Sequence, residues 1–201
     1  MPVVRVTEER LLHAAGVAAR AFLDDPMVRW MLGGTAQDYE DREDLEDRMT
    51  RLFTVGDEDR VASGTMWETE DGDGACVWLS PEAAADLAED VEDDDAWLAA
   101  IAFDGGARHT SMWDWIGERT PAEPLWYLEF VGVEPRAQGR GIVTTLIEHG
   151  LAMAHEAGQP AFLVTDNPRL VAYYEGFGFR TLEDADVPLG GPHAWFMRRE
   201  P

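Results

Sequence analysis

Lysine is absent from this 201-residue chain: all 16 basic residues other than histidine are arginine, and they face 40 acidic residues for a formal net charge of −24. Such a field repels nucleic acid and anionic lipid, so neither is expected as a partner, and it attracts cations, amines among them. Lacking lysine, the chain cannot carry a P-loop, which needs GxxxxGK followed by Ser or Thr. Cysteine is almost absent too. Cys76 on its own rules out an internal disulfide, and inside the apolar run "ACVWLS" it reads as a core residue and not a nucleophile. No apolar run approaches the roughly 18 residues of a membrane span. The opening "MPVVRVTEERLLHAAG" has no basic region followed by an apolar core, so no secretory signal is expected and the cytoplasm is the default location.

What is present suits one well-buried domain over residues 1–201, with 45% hydrophobic and 10% aromatic residues. The acidity has two readings, solubility in high salt and steering of cationic substrates. "VVRV" (Val3 to Val6) reads as a strand, and Thr7 stands where it can cap a helix whose Leu11, Leu12, Ala15, Ala18, Ala19 and Phe22 keep helical spacing until "DDP" stops it. Further helices are expected over Met27 to Leu32 and Asp38 to Gly56. Arg60 to Ser80 reads as a hairpin around "DGDG", a turn and not a calcium loop, because Ala75 and Cys76 stand where an oxygen ligand and the turn glycine belong. Residues 81–120 read as two or three short helices separated by Gly and Pro. Strands and helices then alternate: Leu125 to Val133, a helix from Ile142 to Ala157, "AFLVT", a helix from Pro168 to Glu175, and the closing strands "FRTLE" and "AWFMRR". The pattern is that of an α/β or α+β sheet flanked by helices.

The most informative stretch is "VGVEPRAQGRGIV", where a strand ends in proline and two glycines precede an amphipathic helix. Small residues there let backbone amides converge on a phosphate, with the positive end of the helix behind them. A dinucleotide fingerprint would need a third glycine, and the run from Gly139 to Thr144 does not supply it. A diphosphate cradle for coenzyme A fits the amides from Gln138 to Val143, with Arg136 and Arg140 adding charge in a stretch spared the acidity found elsewhere. An empty strand-to-helix turn fits the same letters.

A second segment narrows the choice. Together, Gln138-Gly139-Arg140-Gly141-Ile142-Val143 and "DNPRLVAYYEGFGFR" resemble the two ordered motifs of the GNAT superfamily of acyl-CoA N-acyltransferases, with Val143 in place of the first motif's glycine or alanine and Leu170 in place of an alanine in the second. Within that superfamily the chain is similar to the puromycin N-acetyltransferase group, through "AAGVAARAFLDDP", "ACVWLSPE" and the tail "VPLGGPHAWFMRREP" as well. The resemblance implies a mixed, mostly antiparallel sheet of about seven strands and acetyl-CoA as cosubstrate. It implies cofactor contacts from Val131, Gly132, Val133, Arg136, Gln138, Gly139, Arg140, Gly141, Ile142, Val143, Asn167, Arg169 and Tyr174. It further implies acetyl transfer to a primary amine of a small molecule, an aminonucleoside or amine antibiotic included. A sensor that binds acyl-CoA without catalysis and a transferase acting on a protein N-terminus or lysine are the alternatives.

Acyl transfer to an amine needs a proton donor for the leaving thiolate and a proton acceptor for the ammonium. Tyr174 is the expected donor, and Tyr173 beside it is expected to pack elsewhere. Glu129, a carboxylate in mid-strand, is the expected acceptor, with Asp24, Asp25, Asp184 and Asp186 as alternatives. Phe22, Asp25, Trp113 and Trp195 are expected to touch the substrate. No metal is expected: His149 and His155 stand six apart on one helix, where a zinc pair prefers four, and His193 reads as a surface residue. The oligomeric state stays open, with a homodimer as one expectation.

Overall fold

The computed structural model describes residues 1–89 and 96–201. Seven strands, β1 (Val3–Arg5), β2 (Met66–Thr69), β3 (Gly74–Leu79), β4 (Trp126–Val133), β5 (Ala161–Thr165), β6 (Arg180–Asp186) and β7 (His193–Arg199), form one sheet in the order β1-β2-β3-β4-β5-β7-β6. All neighbours are antiparallel except β4 and β5. This is the mixed, mostly antiparallel sheet of seven strands that the family resemblance implies.

Helices cover both faces. On one lie α1 (Glu8–Phe22), α2 (Pro26–Met31), α3 (Arg42–Gly56), α6 (Ala96–Ile101) and α7 (Ala107–Gly117), and on the other α8 (Ile142–Glu156) and α9 (Pro168–Glu175). Two short helices, α4 (Glu58–Ala62) and α5 (Pro81–Glu89), pack on the α1 side through Val61 and Ala84. Strand alternation divides the core. Along β3, Ala75, Val77 and Leu79 face α1, while Cys76 and Trp78 face α8, and all five are buried. Trp78 donates from Nε1 to the Leu146 carbonyl at 3.2 Å. The helix lies so close there that a Cβ at Gly150 would fall 2.0 Å from the indole, so only glycine fits.

Several boundaries differ from the sequence reading for local reasons. Helix α3 begins at Arg42 and not Asp38, because the Asp41 carboxylate accepts the amides of Glu43 and Asp44 and starts the helix there. Thr7 is the N-cap of α1, but its side chain makes no capping hydrogen bond. Leu12 is 66% exposed, so the apolar face of α1 runs through Ala14, Ala15, Ala18 and Ala19 without it. Helix α4 was not foreseen. Residues 90–95, read from sequence as part of an acidic helical stretch, lie outside the described residues.

Candidate active site

β4 and β5 pair in parallel only from Trp126 opposite Ala161 to Leu128 opposite Leu163, although β4 continues to Val133 and β5 to Thr165. The two strands therefore part after Leu128 and leave an opening between their C-terminal halves. On the other edge of β4, β3 pairs Val77 with Phe130 and Trp78 with Leu128, so Glu129 is the extra residue of a β-bulge. A bulge breaks side-chain alternation, and Glu129 and Phe130 accordingly line the same cavity.

That cavity, of about 360 Å³, sits at the opening. Val131 of β4, Val164 and Thr165 of β5, Asp166 just beyond β5, and Tyr174 of α9 line it on the sheet side. Its opposite wall is apolar and aromatic. There Phe22 of α1 and Phe53 of α3 pack onto Phe130 of β4, with ring centroids 5.2, 5.7 and 6.2 Å apart. Trp97, His109 and Trp113 form a second group, with Trp113 Nε1 donating to His109 Nε2 at 3.1 Å.

Two sets of carboxyl groups interrupt this lining. Asp25 is the N-cap of α2 and accepts the Val28 amide at 2.9 Å, while Asp166 Oδ2 accepts the neighbouring Met27 amide at 2.9 Å. Burial, with the charge of Asp166 beside it, pushes the Asp25 carboxyl up to about 7, and burial raises Asp166 as well. In the same cavity Arg60 donates to both oxygens of Glu129, at 3.0 and 3.3 Å. Next to that pair Asp57 is 4% exposed, its Oδ2 has no hydrogen-bond partner, and burial followed by the charge of Glu129 holds its carboxyl well above the ordinary range. Burial also raises the Tyr174 phenol, which keeps it protonated at neutral pH.

The glycine turn lies beyond the end of β4. Gly139 and Gly141 have φ of +77° and +79°, and a Cβ added at either would meet nothing within 4 Å. Gly141 is the N-cap of α8 and brings no side chain to cap it, so the first-turn amides face open space. Val143, the departure from the motif, is half-buried and packs against the core cluster under α8. The arginines are not in an acid-free stretch, because the β2–β3 turn brings Asp73 to them: its oxygens accept from Arg136 at 2.8 Å and Arg140 at 2.9 Å.

Residues 27–179 match the family model described as Acetyltransferase (GNAT) family. The chain belongs to the GNAT acetyltransferase family. It is similar over its whole length, at 26% identity, to 84% of an uncharacterized N-acetyltransferase of Schizosaccharomyces pombe. Over 52% of the chain it is 36% identical to 33% of the mycothiol acetyltransferase of Nocardiopsis dassonvillei. Its fold is similar to that of a Corynebacterium glutamicum protein described as histone acetyltransferase HPA2 and related acetyltransferase, with a TM-score of 0.66 at 19% identity over 99% of this chain and 95% of that one. It is also similar to that of a Drosophila melanogaster polyamine N-acetyltransferase, with a TM-score of 0.63 at 13% identity over 100% and 99%.

GNAT enzymes generally use acetyl-CoA, and the open amides at Gly139–Ile142 suit a diphosphate. Of the residues expected from sequence to touch the substrate, Phe22, Asp25 and Trp113 line the cavity. Trp195 does not. Alternation along β7 sends Ala194 and Phe196 toward the α1 side and Trp195 with Met197 to the α8 side. Of the alternative proton acceptors, Asp24 pairs at the surface with Arg29 and Arg42, and Asp184 and Asp186 flank exposed His193. Only Asp25 reaches the cavity. Asn167 caps α9, its Oδ1 accepting the Arg169 amide at 3.0 Å, which leaves the side-chain NH₂ to donate to a ligand; Arg169 itself is exposed. Tyr173 turns away to the Thr144 hydroxyl at 2.9 Å. Sequence reading missed Asp57, Arg60, His109 and Asp166. Asp166 carried a usable signal, as the residue directly after a strand and before the Asn167 cap.

Among the described residues no group of three or more His, Cys, Asp or Glu side chains is placed to hold a metal ion, and no helix is long and apolar enough to cross a membrane.

Proposed function

We propose that this enzyme transfers the acetyl group of acetyl-CoA to a primary amine of a small molecule by direct attack in a ternary complex. The observation that carries the reading is the β4–β5 opening, where a buried phenol and a largely apolar cavity with carboxyl groups meet just before an uncapped glycine-rich helix start. Amine antibiotics and aminonucleosides are members of this acceptor class, and α6 and α7 wall its side of the site.

The residues divide the work. The amides at Gln138–Val143 bind the diphosphate, Asn167 and the backbone of Val131–Val133 orient the thioester arm, and the preorganised amides polarise its carbonyl without reorganisation. A cavity carboxylate accepts one proton from the ammonium, and the neutral amine forms the C–N bond. As the C–S bond breaks, Tyr174 gives its phenolic proton to the sulfur and regains one from the nitrogen. The amide, the free thiol and one proton released to solvent balance the reaction. Incubation of the protein with acetyl-CoA and a panel of primary amines tests the reading: thiol release with a matching N-acetylated product supports it, and no release with any amine defeats it.

A further inference from the structure

We propose that the acceptor is an apolar primary amine arriving as an ammonium ion, and that the Asp25–Asp166 carboxyl pair seats that ammonium and takes its proton. This rests on the acetyltransferase reading above. The two carboxyls come from different elements, the α1–α2 turn and the end of β5, yet they accept adjacent amides in the first turn of α2 and line the same cavity wall as Tyr174. Among the described residues no Arg or His forms an ion pair with either carboxyl.

A second observation points the same way. Asp57, 4% exposed and lining the same cavity, has an oxygen without a partner. Four cavity carboxyls, Asp25, Asp57, Glu129 and Asp166, stand against a single guanidinium, that of Arg60. Buried carboxyl groups in such excess ionise only with a cation beside them, which an ammonium ligand would supply, and the Phe22–Phe53–Phe130 and Trp97–Trp113 groups supply an apolar bed for the rest of it.

Glu129 is occupied by Arg60 through both oxygens, and Asp57 stands beside that ion pair with its unpartnered Oδ2 itself buried, so the Asp25–Asp166 pair takes the proton. An N–H bond of the ammonium breaks, an O–H bond forms on one carboxyl, and the second carboxyl faces the neutralised one until solvent removes the proton. The Asp25 carboxyl, at about 7, exchanges a proton at neutral pH. The titratable groups that line the cavity with the pair are Tyr174 from α9, His109 from α7, Tyr127 and Glu129 from β4, Asp57, and Arg60 from α4.

Asn at either position keeps an oxygen for the same amide, so the fold survives substitution, which thermal denaturation verifies. With a phenylalkylamine as acceptor, kcat/KM of the native enzyme should fall on the acid side with a midpoint near 7. Asp25→Asn should lower kcat/KM about 100-fold or more and flatten that limb, while Glu129→Gln keeps it. A limb that persists in Asp25→Asn/Asp166→Asn, or vanishes in Glu129→Gln, overturns the proton step. Binding is read separately by calorimetry without acetyl-CoA. A phenylalkyl-trimethylammonium ion should bind about 10-fold tighter than its neutral tert-butyl isostere, and the double variant should lose the preference. Equal binding of the two by the native protein overturns the ammonium seat even if acetyl transfer occurs. Cation preference without turnover on any amine supports the seat and overturns the acetyltransferase reading beneath the proton step.

Discussion

Arg60 holds Glu129 by two hydrogen bonds, Nη2 to Oε1 at 3.0 Å and Nε to Oε2 at 3.3 Å, with the Glu129 side chain only 10% exposed. The glutamate at the β4 bulge is thus an ion-pair partner in the cavity wall. Glu129→Gln keeps its shape but removes the counter-charge of a mostly buried guanidinium, with Asp57 as the remaining anion nearby. A loss of about 2 kcal/mol is expected, smaller than for a fully buried pair, together with an unchanged acid limb in kcat/KM. Denaturant unfolding and a pH profile of the same variant check both.

Tyr174 lines the cavity beside the β4–β5 opening, and burial keeps its phenol protonated. Tyr174→Phe retains the ring that packs on Phe179 and deletes the proton. The expected result is a fall in kcat of about 100-fold with little change in KM for acetyl-CoA. Full activity would remove Tyr174 from the mechanism.

At Gly141 the backbone is left-handed, with φ of +79°, and the space above it is open. Gly141→Ala is expected to cost roughly 1 kcal/mol in strain and to place a methyl group over the amides that would face the diphosphate. Calorimetry should show coenzyme A binding weakened about 10-fold or more, beyond what the small change in Tm explains. Unchanged affinity would separate the turn from cofactor binding.

The parts of this site that lie in consecutive residues were legible in the sequence. The β4 strand, the glycine turn, α8, β5 and α9 each announce themselves by periodicity, glycine and a cap, and Tyr174 stands at a fixed offset from Asn167. What depended on long-range packing was not legible. Arg60 meets Glu129 from 69 positions away, and Asp73 captures Arg136 and Arg140 from 63 and 67 away. The bulge at Glu129 arises from the register with β3. Trp195 was placed at the substrate for its type and its position in the tail, but strand alternation alone decides which face it takes.

Asp25 also gives a stability signature. Its folded carboxyl lies near 7, above the unfolded value of 3.8, so the folded state binds the extra proton. The contribution is fully present below about pH 4 and is lost as pH rises through 7. Asp25→Asn should therefore gain on the native protein from pH 4 to pH 8, by on the order of 2–4 kcal/mol if the cap is kept. Tm measured for both proteins across that range tests this, and curves that stay parallel would contradict it.

The most direct measurement of the central claim is acceptor-dependent thiol release from acetyl-CoA, with products identified by mass spectrometry, across apolar primary amines, their N,N-dimethyl counterparts and peptides bearing a free N-terminus or lysine. Release with the primary amines, each giving its N-acetyl product, and none with the dimethylated counterparts is the expected result. Turnover confined to peptides, or acetyl-CoA binding with no turnover on any amine, would contradict it.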